Sequence, residues 1–330
     1  MRKVLNAVLA SGCVLMSGQV MAQNGSVWAD TKVVTIIVPY PPGTEPDILA
    51  RDLSQKLAAK TAMNVIVDNK PGANTIIGTS QLIRSKADGS TLLMVDSAAL
   101  AANALLYKDI PYDWKKDLKV VAEIARIDLF LSVGNQFKDK DFAQFVEYAK
   151  ANPGKVNVGT GGYGHINHLG MAMLAKELGI NFTYVPYKGV SPAINGTIAG
   201  EVGAVMTGAL AINSHMKAGL IKPLVGSGSA RNKLLADVPV AAEVNVSGMA
   251  IPSTVFSLVA SAKMDDKLVN DINQTVRQEL RDPAFVKQYE DRGVELRDTT
   301  PAQGQQYIAD LQASFEKIME DIGVSDQAAK

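Results

Sequence analysis

Short apolar segments alternate with amphipathic segments along most of this 330-residue chain. Short apolar segments predict buried strands, whereas an apolar residue at every third or fourth position predicts a helix. Predicted strands lie at residues 33–38, 65–67, 91–95, 129–133, 156–158, 182–185 and 202–206. Predicted helices begin near residues 47, 76, 142, 166 and 193, and more helix follows towards the C-terminus. This alternation predicts an α/β protein whose parallel sheets are covered by helices on both faces.

Two of the predicted strands end in a turn that leads directly into a helix. The first turn has the sequence Pro-Tyr-Pro-Pro-Gly at residues 39–43, and the next helix begins near Asp47, which is in position to cap it. The second turn, at residues 159–165, is rich in glycine and ends in His165. The first N–H groups of a helix have no partner within the helix, so both turns favour an anion such as a carboxylate. The same residue types suit an ordinary strand-to-helix turn, and the pattern alone leaves both interpretations open.

The N-terminal residues have the three-part pattern of a secretory signal peptide. Arg2 and Lys3 precede an apolar segment at residues 4–16, and the small residues that follow suit cleavage after Ala22. We therefore expect residues 1–22 to be a signal peptide and the mature protein to be exported and soluble. The single cysteine, Cys13, lies in this segment, so the mature chain would contain no disulfide, thiol ligand or thiol nucleophile.

The composition is that of an ordinary globular protein. Apolar residues make up 47% of the chain and charged residues 20%, which provides enough apolar material for a core. The 33 basic and 33 acidic residues balance, and no long run of one sign occurs. This balance argues against nucleic acid or an anionic membrane surface as the partner. The length that remains after the signal peptide favours two lobes over a single core.

Residues 159–164 also match the dinucleotide-binding pattern G-x-G-x-x-G between a strand and a helix. A dinucleotide site needs an acidic residue at the end of the next strand, where this chain has Pro186, Tyr187 and Lys188. We therefore expect this turn to bind a smaller anion, through N–H groups that glycine allows to converge, and we expect no cofactor.

Other residues with potential chemistry form no recognised arrangement. His165 and His168 are three positions apart, but no third ligand of suitable spacing is nearby, so no metal site is expected. No serine stands in the pattern G-x-S-x-G. The serines considered as nucleophiles are Ser97, Ser132, Ser227 and Ser229. An enzyme is therefore disfavoured, although an exported hydrolase stays open as an alternative.

Several motifs, in order along the chain, resemble those of one family. Residues 38–43 and 47–51, V-P-Y-P-P-G and D-I-L-A-R, resemble the signature V-P-F-P-P-G-G…D-x-x-A-R of the Bug/TctC extracytoplasmic solute receptors, which serve tripartite tricarboxylate transporters. Residues 69–73, N-K-P-G-A, are similar to N-R-P-G-A in that family, and residues 185–189 match its V-P-Y-K-G. The matches extend over essentially the whole mature chain, so the similarity concerns the whole protein.

The resemblance implies a two-lobed periplasmic binding protein of type II, which closes around its ligand like a hinge. Two crossing strands near residues 127 and 253 would join the lobes. Lobe 1 would contain residues 24–127 and 253–330, and lobe 2 would contain residues 128–252. The implied function is capture of an organic carboxylate, either a di- or tricarboxylate or an aromatic carboxylate, and its delivery to the subunits of a membrane transporter. A monomer without cofactor or catalysis is expected, and a ligand-sensing partner of a signalling protein is the main alternative.

The resemblance also implies a carboxylate held between the two turns by N–H groups, hydroxyls and water. The ligand-binding residues that it implies are Tyr40, Gly43, Thr44 and Ser97 from lobe 1 and Thr160, Gly161, Gly162, His165, Tyr187 and Thr207 from lobe 2. Three stretches depart from the family pattern. Glu45-Pro46 replaces the usual glycine and its neighbour, and Asn74-Thr75-Ile76 replaces Gly-Gly-Asn, so a bulkier floor of the site is expected. Thr207 stands where many members have an aspartate that would pair with a ligand amino group, and this departure favours a carboxylate that lacks an amino group.

Overall fold

The computed structural model describes residues 28, 31–228, 230–247 and 252–322. The strands are β1 (Val33–Val38), β2 (Asn64–Asn69), β3 (Thr91–Asp96), β4 (Leu118–Ile127), β5 (Leu129–Val133), β6 (Val156–Thr160), β7 (Phe182–Pro186), β8 (Ala204–Gly208), β9 (Lys222–Gly226), β10 (Thr254–Ser261) and β11 (Val294–Leu296). The helices are α1 (Glu45–Lys60), α2 (Ile76–Arg84), α3 (Ser97–Leu106), α4 (Trp114–Asp117), α5 (Phe142–Ala151), α6 (Ile166–Leu178), α7 (Val190–Ala199), α8 (Ala209–Lys217), α9 (Asp266–Leu280), α10 (Pro283–Glu290) and α11 (Pro301–Ile322).

The start of α1 differs from the start that the sequence pattern predicts. The helix begins at Glu45, and its N-cap residue is Thr44, whose side chain makes no capping hydrogen bond. Pro46 fits the first turn, because the N–H group that proline lacks would have no acceptor within the helix there. The prediction that Asp47 caps this helix is therefore wrong, since Asp47 lies inside the first turn.

The strands form two separate sheets with the same internal arrangement. The first sheet has the order β11-β4-β10-β3-β1-β2, and the second has the order β7-β6-β8-β5-β9. In the first sheet β1 is parallel to β2 and β3, and β10 lies antiparallel between β3 and β4. In the second sheet β6 is parallel to β7 and β8, and β5 lies antiparallel between β8 and β9. Helices connect the consecutive parallel strands, as parallel pairing requires.

The chain passes between the two sheets twice. It leaves the first sheet at Ile127 and enters the second at Leu129, then leaves the second at Gly226 and returns to the first at Thr254. We call the first sheet with its helices the first lobe, and the second sheet with α5 to α8 the second lobe. This arrangement agrees with the predicted architecture of two α/β lobes with two crossings. The lobe limits at residues 127 and 253 stay a prediction, because strand pairing defines the sheets and not the limits of each lobe.

Buried apolar side chains of the helices and strands form the cores of the lobes. In the first lobe Leu49, Leu53 and Leu57 of α1 are buried in one cluster with strands of the first sheet. In the second lobe Phe145 of α5 and Leu174 of α6 are buried with strands of the second sheet. The spacing of four residues places Leu49, Leu53 and Leu57 on one side of α1, which is the side that packs against the sheet. Among the described residues, no helix is both long enough and apolar enough to cross a bilayer.

Substitution of Leu53, which is fully buried between α1 and the first sheet, tests this packing. We expect Leu53→Ala to lower the free energy of unfolding by about 2–5 kcal/mol, because it removes buried apolar surface and leaves a cavity. Urea unfolding followed by circular dichroism measures the change. Leu220→Ala is the matched control, since Leu220 is 38% exposed and should lose less than about 1 kcal/mol. Equal losses for both variants would contradict this assignment of the core.

Candidate ligand-binding site

A small cavity lies between the two lobes, where strands end and helices begin. Its lining comes from both lobes: Tyr40, Asn74, Asp96 and Ala99 from the first, and Gly164, His165 and Ile166 from the second. The cavity has space for about one water molecule. Both turns that the sequence analysis identified therefore reach a common space, the first through Tyr40 and the second through Gly164 and His165.

Two helices begin at this cavity, one from each lobe. Helix α3 starts at Ser97 directly after β3, and its first-turn residue Ala99 lines the cavity, while Ile166 at the start of α6 lines the opposite side. The first N–H groups of a helix lack acceptors within it and carry partial positive charge, so both helix starts favour a negatively charged group. The Asp96 side chain accepts a hydrogen bond from the Ala98 N–H at 2.9 Å and satisfies one of these donors.

Tyr40 supplies a hydroxyl group at the cavity. Its oxygen accepts a hydrogen bond from the Asp96 N–H at 3.1 Å, which leaves its own hydrogen free to be donated. The ring packs edge-on against Phe256 of β10, with ring centres 6.2 Å apart, and this contact orients the side chain. Burial, and then the charge of Asp96, raises the pKa of Tyr40 well above its usual value. Tyr40 is therefore a neutral hydrogen-bond donor at pH 7.

His165 is held in one orientation by Asn167. The ring Nδ1 lies 2.9 Å from Asn167 Oδ1, which also accepts the Gly161 N–H at 3.1 Å. The Asn167 N–H is farther from Nδ1, at 3.4 Å, so the shorter contact decides the tautomer. Because an amide oxygen only accepts, Nδ1 carries the hydrogen and Nε2 is left as an acceptor. Burial lowers the pKa of His165 against the opposing effect of the bond to Asn167, and the ring is neutral at pH 7.

His168 is packed inside the second lobe. It is 4% exposed, and its ring contacts those of Tyr163 and Tyr184 edge-on, with ring centres 5.4 and 4.9 Å away. Its Nδ1 accepts the Gly164 N–H at 3.2 Å. Burial, and then the nearby His165, lowers the pKa of His168 to about 4, so this ring is also neutral. Within the described ranges, no group of three His, Cys, Asp or Glu side chains is arranged to hold a metal ion.

Two carboxyl groups lie in this region. Asp96 lines the cavity and is 6% exposed. Glu45 reaches the second lobe, since its Oε1 would lie 2.7 Å from a Cβ atom placed on Gly208 at the end of β8. That oxygen is buried and has no hydrogen-bond donor among the described residues. Burial raises the pKa of Asp96 to about 7, and burial followed by the charge of Asp96 raises the pKa of Glu45 to about 7.

The other predicted contacts of the first turn have partners within the first lobe. The Gly43 N–H donates to Asp47 Oδ2 at 2.8 Å, and the Thr44 hydroxyl donates to the Pro41 carbonyl at 2.8 Å. Asp47 is 2% exposed and also accepts a hydrogen bond from the Asn69 amide at 2.9 Å. The carboxylate of Asp47 thus occupies the position at this turn where an external anion was expected.

Ser97 and Tyr187 likewise have partners away from the cavity. The Ser97 hydroxyl is fully buried and lies 2.8 Å from the Ser257 hydroxyl on β10. The Tyr187 hydroxyl donates to the Glu201 carboxylate at 2.9 Å, near the surface of the second lobe. The hydroxyl groups of these two side chains therefore have protein partners in the present structure.

Three further predicted site residues lie at the ends of β6 and β8 or in the turn that follows β6. Thr160 ends β6 and is 1% exposed, and Thr207 in β8 is 5% exposed. Gly162, in the second turn, has a φ of 116°, a conformation that favours glycine. Its N–H has no acceptor among the residues that the structure describes, so it can donate to a ligand.

The serine candidates that the structure describes form hydrogen bonds with the backbone or with other serines. Ser132 donates to a backbone carbonyl at 3.4 Å, and the Ser227 hydroxyl accepts the Leu129 N–H at 2.9 Å. Ser229 lies outside the described residues. Neither these two serines nor Ser97 is hydrogen-bonded to a histidine, as an activated serine nucleophile would be.

The sequence pattern does not reveal the part of the lining that comes from α3. Residues 97–106 are nearly all apolar, so they lack the polar face by which an amphipathic helix is recognised. A weaker signal is present, because Asp96 stands between a strand and an alanine-rich segment. Aspartate is a preferred N-cap residue and alanine a strong helix former, and together they indicate a helix start at this point.

The two sheets, their strand order and the cavity between them define a two-lobed periplasmic binding fold. The R. palustris protein Rpa4515 with adipate superimposes with a TM-score of 0.83 at 27% identity, covering 89% of this chain and 98% of that chain. MatC (Rpa3494) from Rhodopseudomonas palustris, with bound malate, gives a TM-score of 0.78 at 23% identity over 88% of this chain and 99% of that chain. The predicted fold class is confirmed.

The family follows from the sequence comparisons. The model of the tripartite tricarboxylate transporter family receptor, TctC, matches residues 49–324. Protein BugT of Bordetella pertussis (strain Tohama I) is 31% identical over 288 residues, which cover 86% of this chain and 88% of BugT. This chain belongs to the TctC family of tripartite tricarboxylate transporter receptors, as its motifs predict. Proteins of this family are periplasmic solute-binding receptors.

The unsatisfied carboxyl group of Glu45 predicts a stability that depends on pH. A carboxyl whose pKa is raised on folding stabilises the folded state fully below its unfolded pKa, and this stabilisation is lost as pH rises through the folded value of about 7. The Glu45→Gln variant has an amide at this position, which does not ionise as the pH rises. Relative to the wild type, we expect the variant to gain about 1–3 kcal/mol in unfolding free energy between about pH 4.5 and pH 8.

Urea unfolding without ligand at the two pH values measures this gain. Glu147→Gln is the matched control for the removal of a carboxyl group, since Glu147 is exposed on α5. A Glu45→Gln variant that gains no more than this control would show that Glu45 is solvated in the unliganded protein.

Proposed function

We propose that this chain is a periplasmic receptor that captures an organic carboxylate and delivers it to a tripartite tricarboxylate-type membrane transporter. The observation that carries the proposal is the cavity between the lobes, at which α3 and α6 begin from opposite sides. Two helix starts offer backbone N–H groups and partial positive charge to a carboxylate without using a charged side chain. The adipate held by the relative Rpa4515, at 27% identity, supports this class of ligand.

The proposed contacts combine backbone and side-chain donors. Tyr40 donates its hydroxyl hydrogen, and the Gly162 N–H and the first turns of α3 and α6 add backbone donors. Thr160 and Thr207 contribute hydroxyl groups at the strand ends, and His165 lies beside the ligand as a neutral ring. The other residues implied by the family resemblance would have to exchange their present protein partners for the ligand: Gly43, Thr44, Ser97, Gly161 and Tyr187. Aliphatic dicarboxylates and aromatic carboxylates both belong to the proposed ligand class.

Ligand entry requires the two lobes to move apart. The cavity has space for about one water molecule, which is too little for a dicarboxylate. Leu106 of α3 already packs against the second lobe, where a Cβ atom on Gly164 would lie 2.0 Å from its Cδ1. We expect bending at residue 128 and between β9 and β10, where the chain passes between the sheets. A ligand that binds the N-terminal N–H groups of both α3 and α6 then favours a closed state, because only in that state can it contact both helices at once.

The proposed function is binding without chemical change to the ligand. The family consists of solute-binding receptors, and the described serine candidates have no histidine partner. Location in the periplasm is part of the proposal and rests on the family and on the signal-peptide pattern, whose residues 1–22 lie outside the described residues. The protein in this proposal is a monomer. It binds the transporter subunits after it has closed around its ligand.

Titration calorimetry with a panel of aliphatic di- and tricarboxylates and aromatic carboxylates tests this function. We expect at least one of them to bind. Tyr40→Phe should weaken that binding about 5–10-fold, which corresponds to about 1–1.4 kcal/mol for one lost hydrogen bond. Tyr148→Phe is the control, because Tyr148 packs against Phe137 within the second lobe. If the folded protein bound no member of the panel, the proposal would have to be abandoned.

A further inference from the structure

Two hydrogen-bond acceptors near the cavity have no donor among the described residues, and one of them is buried. The buried acceptor is Oε1 of Glu45. The Nε2 atom of His165 is an acceptor, because Nδ1 donates its hydrogen to Asn167. A buried acceptor left without a donor costs about 1–3 kcal/mol, so native proteins rarely retain one without a reason. A ligand that brings donors would remove this cost.

Glu45 is in position to meet a ligand held between the lobes. It is the first residue of α1 in the first lobe, yet its Oε1 lies against Gly208 in the second. Gly208 ends β8 and precedes α8, so the carboxyl group stands at a strand end of the opposite lobe. The charge of Asp96 acts on Glu45, which links the carboxyl group to the cavity that Asp96 lines.

Among the residues that the structure describes, no positively charged side chain balances these two carboxyl groups. Neither Glu45 nor Asp96 has a Lys or Arg partner in the described part of the chain. The other titratable groups that face Asp96 are Tyr40 and Tyr307, which are neutral when protonated. His165 on the opposite wall is neutral as well. The site therefore has two acidic groups without a balancing cation among the described residues, and a positively charged group of a ligand would complement them.

We propose that the ligand carries a protonated amino group beside its carboxylate, and that the carboxyl groups of Glu45 and Asp96 bind this amino group. The inference rests on the proposed function, because it concerns the ligand of the same site. The starts of α3 and α6 hold the carboxylate, and the two acids hold the ammonium group. An ammonium group has three N–H donors, enough for Glu45, Asp96 and the Nε2 atom of His165. The ligand class becomes that of amino acids and aminodicarboxylates.

This ligand class differs from the one that Thr207 favours in the sequence. A threonine there removes one carboxylate from the second lobe. Glu45 brings a carboxylate from the first lobe to Gly208, the residue that follows Thr207. The acidic group is therefore present at this end of β8, although it comes from a distant part of the chain.

Three matched ligand pairs test the inference on the full mature chain: succinate with aspartate, glutarate with glutamate, and phenylpropionate with phenylalanine. Malate is added to separate a hydroxyl donor from an ammonium donor. The site variants are Glu45→Gln and Asp96→Asn, which keep the shape of each side chain and, for Asp96, an N-cap residue for α3. Glu147→Gln on the exposed face of α5 is the control. Calorimetry gives the dissociation constants, and repetition in buffers of different ionisation enthalpy gives the protons exchanged.

We expect the amino member of at least one pair to bind the wild type at least about tenfold more tightly than its unsubstituted partner, a difference of about 1.4 kcal/mol. Glu45→Gln and Asp96→Asn should each reduce this ratio below about threefold, whereas Glu147→Gln should not change it. Binding of the amino member near pH 7 should release protons, because an ammonium group stabilises ionised carboxylates.

Three results would overturn the inference while leaving the proposed function intact. The first is binding of carboxylates with no preference for the amino member of any pair. The second is tighter binding of malate than of aspartate. The third is a preference that persists in both site variants. Failure of every carboxylate to bind would instead remove the proposed function and the inference together.

Discussion

The backbone N–H groups at helix starts, and the acceptors available to them, determine the structure around the cleft. At the first turn the acceptor is Asp47, and at the start of α3 it is Asp96. In the second turn the side chains of Asn167 and His168 take two of the N–H groups. The Gly162 N–H stays open, as do donors in the first turns of α3 and α6. The candidate ligand site is the part of this network that the side chains of the protein leave unsatisfied.

Burial then decides how much charge the side chains contribute. Tyr40 remains protonated, and His165 and His168 remain neutral, because burial disfavours their charged forms. Burial also raises the pKa values of Glu45 and Asp96 to about 7. For the proposed ligand, backbone dipoles would therefore provide the attraction for the carboxylate, and the two acids would bind the amino group that we infer beside it.

Much of the fold was accessible from the chain itself. The strand at residues 129–133 was predicted with the ends that the structure has, and the turn at residues 159–165 contributes Gly164 and His165 to the cavity. The first turn was predicted less well. Gly43 was expected to bind a ligand, but its N–H donates to Asp47, because the carboxylate inside the first turn of α1 folds back to it. Sequence pattern does not separate an aspartate that caps a helix from one that accepts from the preceding turn.

Most of the strands and helices that build the parallel parts of the two sheets, and the family, follow from local periodicity and short motifs, which the linear sequence contains. Contacts between distant segments were decided by folding. Ser97 is hydrogen-bonded to Ser257, at a sequence separation of 160 residues, and Glu45 lies against Gly208. Whether a hydroxyl or carboxyl group is free for a ligand depends on such partners and on the burial that they impose. Both are properties of the packed molecule, because neighbours along the chain set neither of them.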